Sequence, residues 1–227
     1  MTNETTGPAA GLMLLIDKPK DFSSARIVNI IKKKLNVKKA GHSGTLDPKA
    51  SGLMIVCTNK MTKELNLLLD AEKEYCGVMI LGETTPSFDS ETDVNRTCSL
   101  ENINDDIILK TVSGFLGEIE QVPPMFSAIK YKGKPLYKYA RKNKVIERKS
   151  RKVFIKEFKI NKINLPIVEF RVVCSKGTYI RSLVNDFGEK LGTGAYLKEL
   201  RRTKVGEYDI KDSITLEKFL EMSNEKI

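Results

Sequence analysis

Apolar residues along this chain recur at two spacings, and the change from one to the other lays out its elements. Ile27, Ile30, Ile31 and Leu35 stand three or four apart, on one face of a helix, leaving Lys32, Lys33 and Lys34 toward solvent. Ser23 or Ser24 is placed to cap it. The same spacing predicts a helix at 63–69 with Leu65, Leu68 and Leu69 inward. It predicts another at 104–116 carrying Ile107, Ile108, Val112 and Phe115. Thr178 is the expected cap of a helix that buries Ile180, Leu183, Val184, Phe187 and Leu191 and ends at Gly192. A short helix at 216–222 closes the chain.

Strands are expected at 53–58, 75–81, 153–160 and 167–174, the last alternating Val168, Phe170, Val172 and Cys174 on one side. Between them, Val122-Pro123-Pro124 halts any helix, because proline lacks an amide donor and restricts the residue before it. Helices and strands are mixed without regular βαβ alternation. That pattern predicts an α+β fold with a mixed, largely antiparallel sheet and flanking helices. Neither an internal repeat nor a linker rich in Gly, Pro or Ser divides the sequence. A single domain is therefore expected over residues 11–227, after a flexible leader at 1–10 that is small and polar and unlike a secretory signal.

Composition narrows the function classes. Of 227 residues, 41% are hydrophobic and 30% charged, and no apolar run is long enough to span a bilayer, so a cytoplasmic protein is expected. Cys57, Cys76, Cys98 and Cys174 form no C-x-x-C pair, and His42 is the one histidine, so reduced thiols and no metal site are expected. A net charge of +10 suits a polyanionic partner. The charge is also segregated: residues 141–162 hold ten Lys or Arg and two Glu, whereas residues 83–106 hold seven acidic residues and only Arg96. Such segregation points to a basic face.

The most unusual segment is residues 41–52, with three glycines in twelve positions and Asp47 set directly before Pro48. Glycine permits backbone turns and close approaches that side chains block, while proline pushes its predecessor toward extended backbone. Together they present one carboxylate on a stiff loop. Neither a G-x-x-x-x-G-K-[ST] phosphate loop nor a G-x-S-x-G elbow is present. No spacing supplies the second carboxylate that glycoside hydrolysis needs.

Residues 41–53, Gly-His-Ser-Gly-Thr-Leu-Asp-Pro-Lys-Ala-Ser-Gly-Leu, resemble the catalytic motif of the TruB-type pseudouridine synthases, the family that modifies uridine 55 in the TΨC arm of tRNA. Other motifs follow in the family's order. Asp17-Lys18-Pro19-Lys20 resembles its opening motif, and Lys73-Glu74-Tyr75 with residues 81–85 and Asp89 its second. Residues 123–130 with Gly133, Leu136-Tyr137 and Ala140-Arg141 resemble the third; residues 174–183 and 200–206 resemble the C-terminal ones. Two departures stand out. Asp21-Phe22-Ser23 replaces a usual Gly and Thr-Ser step, and the sequence ends at Ile227, where many relatives continue into a PUA-type RNA-binding domain, so none is expected here.

The resemblance implies the pseudouridine synthase fold and a cofactor-free isomerisation of uridine, with base flipping and Asp47 as nucleophile. It pairs Arg181 with Asp47 and has Tyr75 stack on the target uracil, its hydroxyl available to move the C5 proton. Tyr179 and Leu200 would wall the base, and His42 would occupy the space the flipped nucleotide leaves. Lys18, Lys20, Lys130, Arg141 and Arg202 are the candidate phosphate contacts. The expected partner is the TΨC stem-loop of tRNA, bound by a stand-alone monomer that needs no membrane and no obligate protein partner.

Overall fold

The computed structural model describes residues 11–223; the expected leader at 1–10 lies outside the described residues. In chain order come β1 (Met13–Lys18), α1 (Ser24–Leu35), β2 (Ala40–His42), β3 (Ser51–Thr58), α2 (Leu65–Asp70) and β4 (Lys73–Leu81). They are followed by β5 (Glu83–Thr84), β6 (Arg96–Thr97), α3 (Asp105–Val112), β7 (Gly117–Gln121), β8 (Lys130–Tyr131), β9 (Lys134–Pro135) and α4 (Leu136–Ala140). The remainder is β10 (Arg151–Asn164), β11 (Ile167–Cys174), α5 (Ile180–Leu191), β12 (Ala195–Val205), β13 (Tyr208–Asp209), β14 (Ile214–Thr215) and α6 (Leu216–Glu221). The described residues group into two compact units, one holding residues 11–75 and 200–223, the other residues 76–199.

The first unit is built around β3, whose eight residues are all buried and whose middle, residues 53–57, is an unbroken apolar run. Its partners explain the run. β1 pairs antiparallel along one edge from Met13↔Cys57 to Lys18↔Gly52. On the other edge β2 pairs antiparallel at Ala40↔Thr58, and β12 pairs parallel at Arg201↔Ser51 and Arg202↔Gly52. Both faces are covered as well. Met54 and Val56 meet Ile27, Val28, Ile31 and Leu35 of α1 together with Leu216 and Phe219 of α6. Leu53, Ile55 and Cys57 face Leu68 and Val205. A strand covered on both faces gains nothing from polar alternation, hence its continuous hydrophobicity.

Ser23 caps α1, accepting from the Arg26 N–H at 3.2 Å, and Asn36 ends the helix in the left-handed region. Helix α2 is shorter than the periodicity predicts. It is preceded by a 3-10 turn, and Leu69 is 41% exposed rather than inward, because so short a helix buries only Leu68. The α2 C-terminus is held by the buried Lys73, whose ammonium donates to the carbonyls of Leu68 (3.0 Å), Leu69 (2.6 Å) and Ala71 (2.7 Å). A cation on the last carbonyls satisfies groups that a helix end leaves unpaired.

In the second unit β10 pairs antiparallel with β11 and with β7. Val168, Phe170, Val172 and Cys174 are all buried, as their alternation predicts. Phe115, Phe158, Phe170 and Phe187 form an aromatic cluster with ring centroids 5.6–6.4 Å apart. Ile107 is 39% exposed, because α3 lays only Ile108 and Val112 inward. The fold is α+β with a mixed, largely antiparallel sheet, in agreement with the missing βαβ alternation. Replacing Phe187 by Ala should cost about 3–5 kcal/mol of stability, read by urea unfolding, since its ring contacts both Phe115 and Phe158.

Candidate active site

The loop between β2 and β3 carries Asp47, and nearly every turn of its backbone is tied to something rigid. Buried Ser24, the first residue of α1, uses one hydroxyl twice: it accepts from the Leu46 N–H and donates to the Leu46 carbonyl, both at 2.9 Å. The next step is a tight turn with Pro48 at its second position, closed by the Ala50 N–H donating to the Asp47 carbonyl at 3.1 Å. The Asp21 N–H donates to the Pro48 carbonyl at 2.7 Å. Asp47 itself stays half-buried. A carboxylate on a fixed backbone with an open flank can meet a substrate without first being ordered.

Two buried cations hold this loop and the turn that precedes α1. Lys18 is 0% exposed, and its ammonium donates to the carbonyls of Pro19 and Phe22, both at 2.8 Å, with Pro48 farther at 3.5 Å. Arg202 is 1% exposed, its Nε donating to the Leu53 carbonyl at 2.7 Å and its Nη2 to the Gly44 carbonyl at 3.1 Å. The reading of both as phosphate contacts is thereby corrected. Their heads are occupied by main-chain oxygens inside the protein, where no phosphate reaches. Burial lowers the Lys18 ammonium from 10.5 to about 8 despite the opposing pull of Asp47 and Asp21.

His42 is half-buried, and its Nδ1 accepts the Gly44 N–H at 3.2 Å, so the neutral ring carries its proton on Nε2. Burial first and the Arg202 charge second hold its pKa below the ordinary histidine value. In the same unit Tyr75 on β4 and Leu200 on β12 are both buried. The Thr203 hydroxyl donates to the Glu74 carboxylate at 2.7 Å, fixing the neighbour of Tyr75.

Arg181 and Tyr179 lie in the second unit, at the start of α5. Arg181 is 3% exposed and its guanidinium sits among buried acceptors: Nε is 3.5 Å from an Asp89 carboxylate oxygen, Nη1 donates to the Ser87 carbonyl at 3.2 Å and Nη2 to the Phe126 carbonyl at 2.9 Å. Thr178 does not cap α5. Its hydroxyl donates to the Ser175 carbonyl at 2.9 Å, and the helix starts at Ile180. Buried Gln121 holds Tyr179 instead, accepting from its N–H at 2.7 Å and donating to its carbonyl at 3.0 Å. The Arg151 guanidinium lies 4.5 Å from the Tyr179 ring centre. Gln121 and Arg151 face each other in the β7–β10 register, which is why the two reach one residue.

Gln121, Arg151 and the Arg181 partner role of Asp89 escape a reading of the sequence, since no local spacing relates them to residues dozens of positions away. Of the remaining candidates, Lys20, Lys130 and Arg141 are exposed. The Arg141 guanidinium pairs with Glu91 at 2.8 Å.

Comparison with known proteins bears directly on this loop. A model of the TruB family pseudouridylate synthases, N-terminal domain, matches residues 32–180, and one of the tRNA pseudouridylate synthase B C-terminal domain matches residues 181–226. The chain belongs to the TruB family of pseudouridylate synthases. It is 51% identical to the tRNA pseudouridine synthase B of Flavobacterium johnsoniae, over 93% of this chain and 95% of that one. With the corresponding protein of Chloroherpeton thalassium it shares 48% identity over 93% and 90% of the two chains. Among solved structures, a chain of a Cbf5-Nop10-Gar1 complex superposes with a TM-score of 0.71 at 35% identity, covering 93% of this chain and 54%, about half, of that one. Among the described residues no helix is long and apolar enough to cross a membrane, and no three His, Cys, Asp or Glu gather as a metal site.

A backbone oddity lies beside the loop: Asp21 adopts φ +66°, in the left-handed region. Aspartate tolerates that region better than most side chains. Its carboxylate accepts from the Lys49 ammonium at 2.8 Å, which holds the Asp21 carboxyl below its ordinary value and ties the turn to the Asp47 loop.

The lowered Lys18 ammonium has a definite consequence for stability. Between about 8 and 10.5 the unfolded chain binds this proton while the folded protein has released it, so stability rises with pH in that window. The urea-unfolding free energy of the protein minus that of Lys18→Met should therefore grow from pH 8 toward 10. A difference independent of pH would show that the folded ammonium titrates normally.

Proposed function

We propose that this chain isomerises uridine to pseudouridine in tRNA, at uridine 55 of the TΨC arm, with Asp47 as the nucleophile. The observation that carries this reading is Asp47 itself, a half-buried carboxylate on a loop pinned at Gly44, Leu46 and Pro48. Family membership and the relatives named tRNA pseudouridine synthase B support the substrate. A target stacked within a folded loop must be extruded before a side chain can reach it. Asp47 then attacks the base or the anomeric carbon of its ribose. The N1–C1′ bond breaks, the uracil turns, a C5–C1′ bond forms, and the proton leaving C5 is balanced by one gained at N1. No net oxidation or group transfer occurs, so the reaction calls for no second substrate.

Tyr75 stacks on the uracil and offers its hydroxyl for the C5 proton. Arg181 serves the carboxylate as its counter-ion. Tyr179 and Leu200 wall the base. His42, neutral by burial, fills the space the nucleotide leaves rather than storing a proton for acid catalysis. Lys20, Lys130 and Arg141 meet phosphates, joined by the exposed basic residues of 141–150. The reading extends to a cytoplasmic enzyme acting as a monomer without an obligate protein partner.

Incubation of the protein with an unmodified tRNA transcript, followed by pseudouridine mapping, should show modification at position 55 and nowhere else in the TΨC loop. Asp47→Asn should lower the single-turnover rate by about 10⁴-fold or more while leaving tRNA affinity within a few-fold. Binding by the wild-type protein with no modified uridine would instead favour a non-catalytic RNA-binding role. Affinity should fall steeply with salt, log K against log[salt] having a slope of several units, each phosphate contact adding roughly 0.7–0.9.

A further inference from the structure

Arg202 is a buried cation whose hydrogen bonds go to backbone carbonyls. Its Nε and Nη2 span Leu53 and Gly44, residues on opposite sides of Asp47 in sequence. A planar fork with fixed donor directions sets the separation of two acceptors, which a flexible ammonium does not do. The loop is shaped to receive it. Gly44 has φ +126°, and a Cβ there would lie 3.6 Å from Arg202 Nη1. Gly52 has φ +109°, and a Cβ would come within 2.3 Å of the Arg202 carbonyl oxygen. Gly44 is required by its left-handed backbone, a Cβ there meeting the guanidinium only at ordinary contact distance, whereas Gly52 is required because β3 lies against the Arg202 backbone. The register Arg202↔Gly52 puts the arginine in the sheet at the point where the loop ends.

We infer that Arg202 is a positioning residue for catalysis, a clamp that sets the height and direction of Asp47 by joining the two ends of its loop, and not a phosphate contact. This rests on the reading of Asp47 as nucleophile. Loosening the clamp leaves the RNA-binding surface in place and moves the carboxylate. An error of about 1 Å at the reacting atom costs on the order of 100-fold in rate. The loss belongs in the chemical step and not in binding.

The test uses the full-length protein and an unmodified tRNA transcript. Modification by the wild-type protein is the first readout, and its absence would remove the reading of function on which the clamp rests. Given that activity, Arg202→Met should reduce the single-turnover rate at saturating enzyme by about 100-fold, with tRNA Kd changed less than about threefold. Arg202→Lys keeps the charge without the fork and should recover only a minor part of the rate. Added guanidinium should raise the rate of Arg202→Ala and leave that of Arg202→Lys unchanged. Circular dichroism melts fix an assay temperature at which each variant is folded. A folded Arg202→Met with wild-type rate would overturn the clamp, and so would a weakened Kd with a smaller salt slope and an intact saturated rate, the signature of a phosphate contact. Should the methionine variant not fold, Arg202→Lys carries the test alone. It should show most of the loss of rate with affinity retained, and a wild-type rate would overturn the inference.

Discussion

A loop with three glycines in twelve residues has little of its own to hold it, so the shape of residues 41–52 depends on buried cations placing their charged heads on its main-chain oxygens. Arg202 takes Gly44 and Leu53, and Lys18 takes Pro19 and Phe22 with Pro48 at its margin. Burying an ammonium and a guanidinium costs several kcal/mol each unless every donor is directed at an acceptor. Here the acceptors are carbonyls of the loop, of the start of β3 and of the turn before α1, so each cation finds main-chain partners where it is buried. The arrangement has little tolerance for substitution: a missing cation strands carbonyls, and a misplaced loop strands a cation.

The rest of the first unit follows from that constraint. β3 begins at Ser51 because Arg202 and Gly52 meet in parallel register there, and its apolar run is long because α1 and α6 cover one face while Leu68 and Val205 cover the other. Ser24 serves both α1 and Leu46, so the helix that fills the core also sets the residue before Asp47. Packing and site are thus the same set of contacts. The Asp21 turn adds a local adjustment in which an ion pair to Lys49 accompanies the left-handed backbone that glycine would adopt freely.

A similar logic governs the second unit with different chemistry. Arg181 is buried among Asp89, Ser87 and Phe126, three acceptors from distant parts of the chain, which restricts its guanidinium to one orientation. The start of α5 has no side-chain cap from its own sequence; Gln121 treats Tyr179 as a strand neighbour would, bonding both its N–H and its carbonyl. Surface ion pairs such as Arg141–Glu91 contribute little beside these, since solvent screens them.

Much of this protein was legible in the order of its residues. Helices α1 and α5, strands β3, β10 and β11, and the α+β class follow from hydrophobic spacing, which reports the face each element buries regardless of partner. The Asp47 loop was legible for a related reason: glycine spacing and an Asp-Pro step are local constraints on backbone, and in company with four further motifs they indicate a family. What the spacing did not reveal is where long polar side chains terminate. Lys18 and Arg202 look like any other cations of a basic protein, and only the registers of β1 and β12 on β3 turn them inward onto carbonyls. Gln121 gains its task only because β7 places it beside Tyr179, 58 residues onward. A buried charge is defined by acceptors brought from elsewhere in the chain, and that is decided by tertiary structure alone.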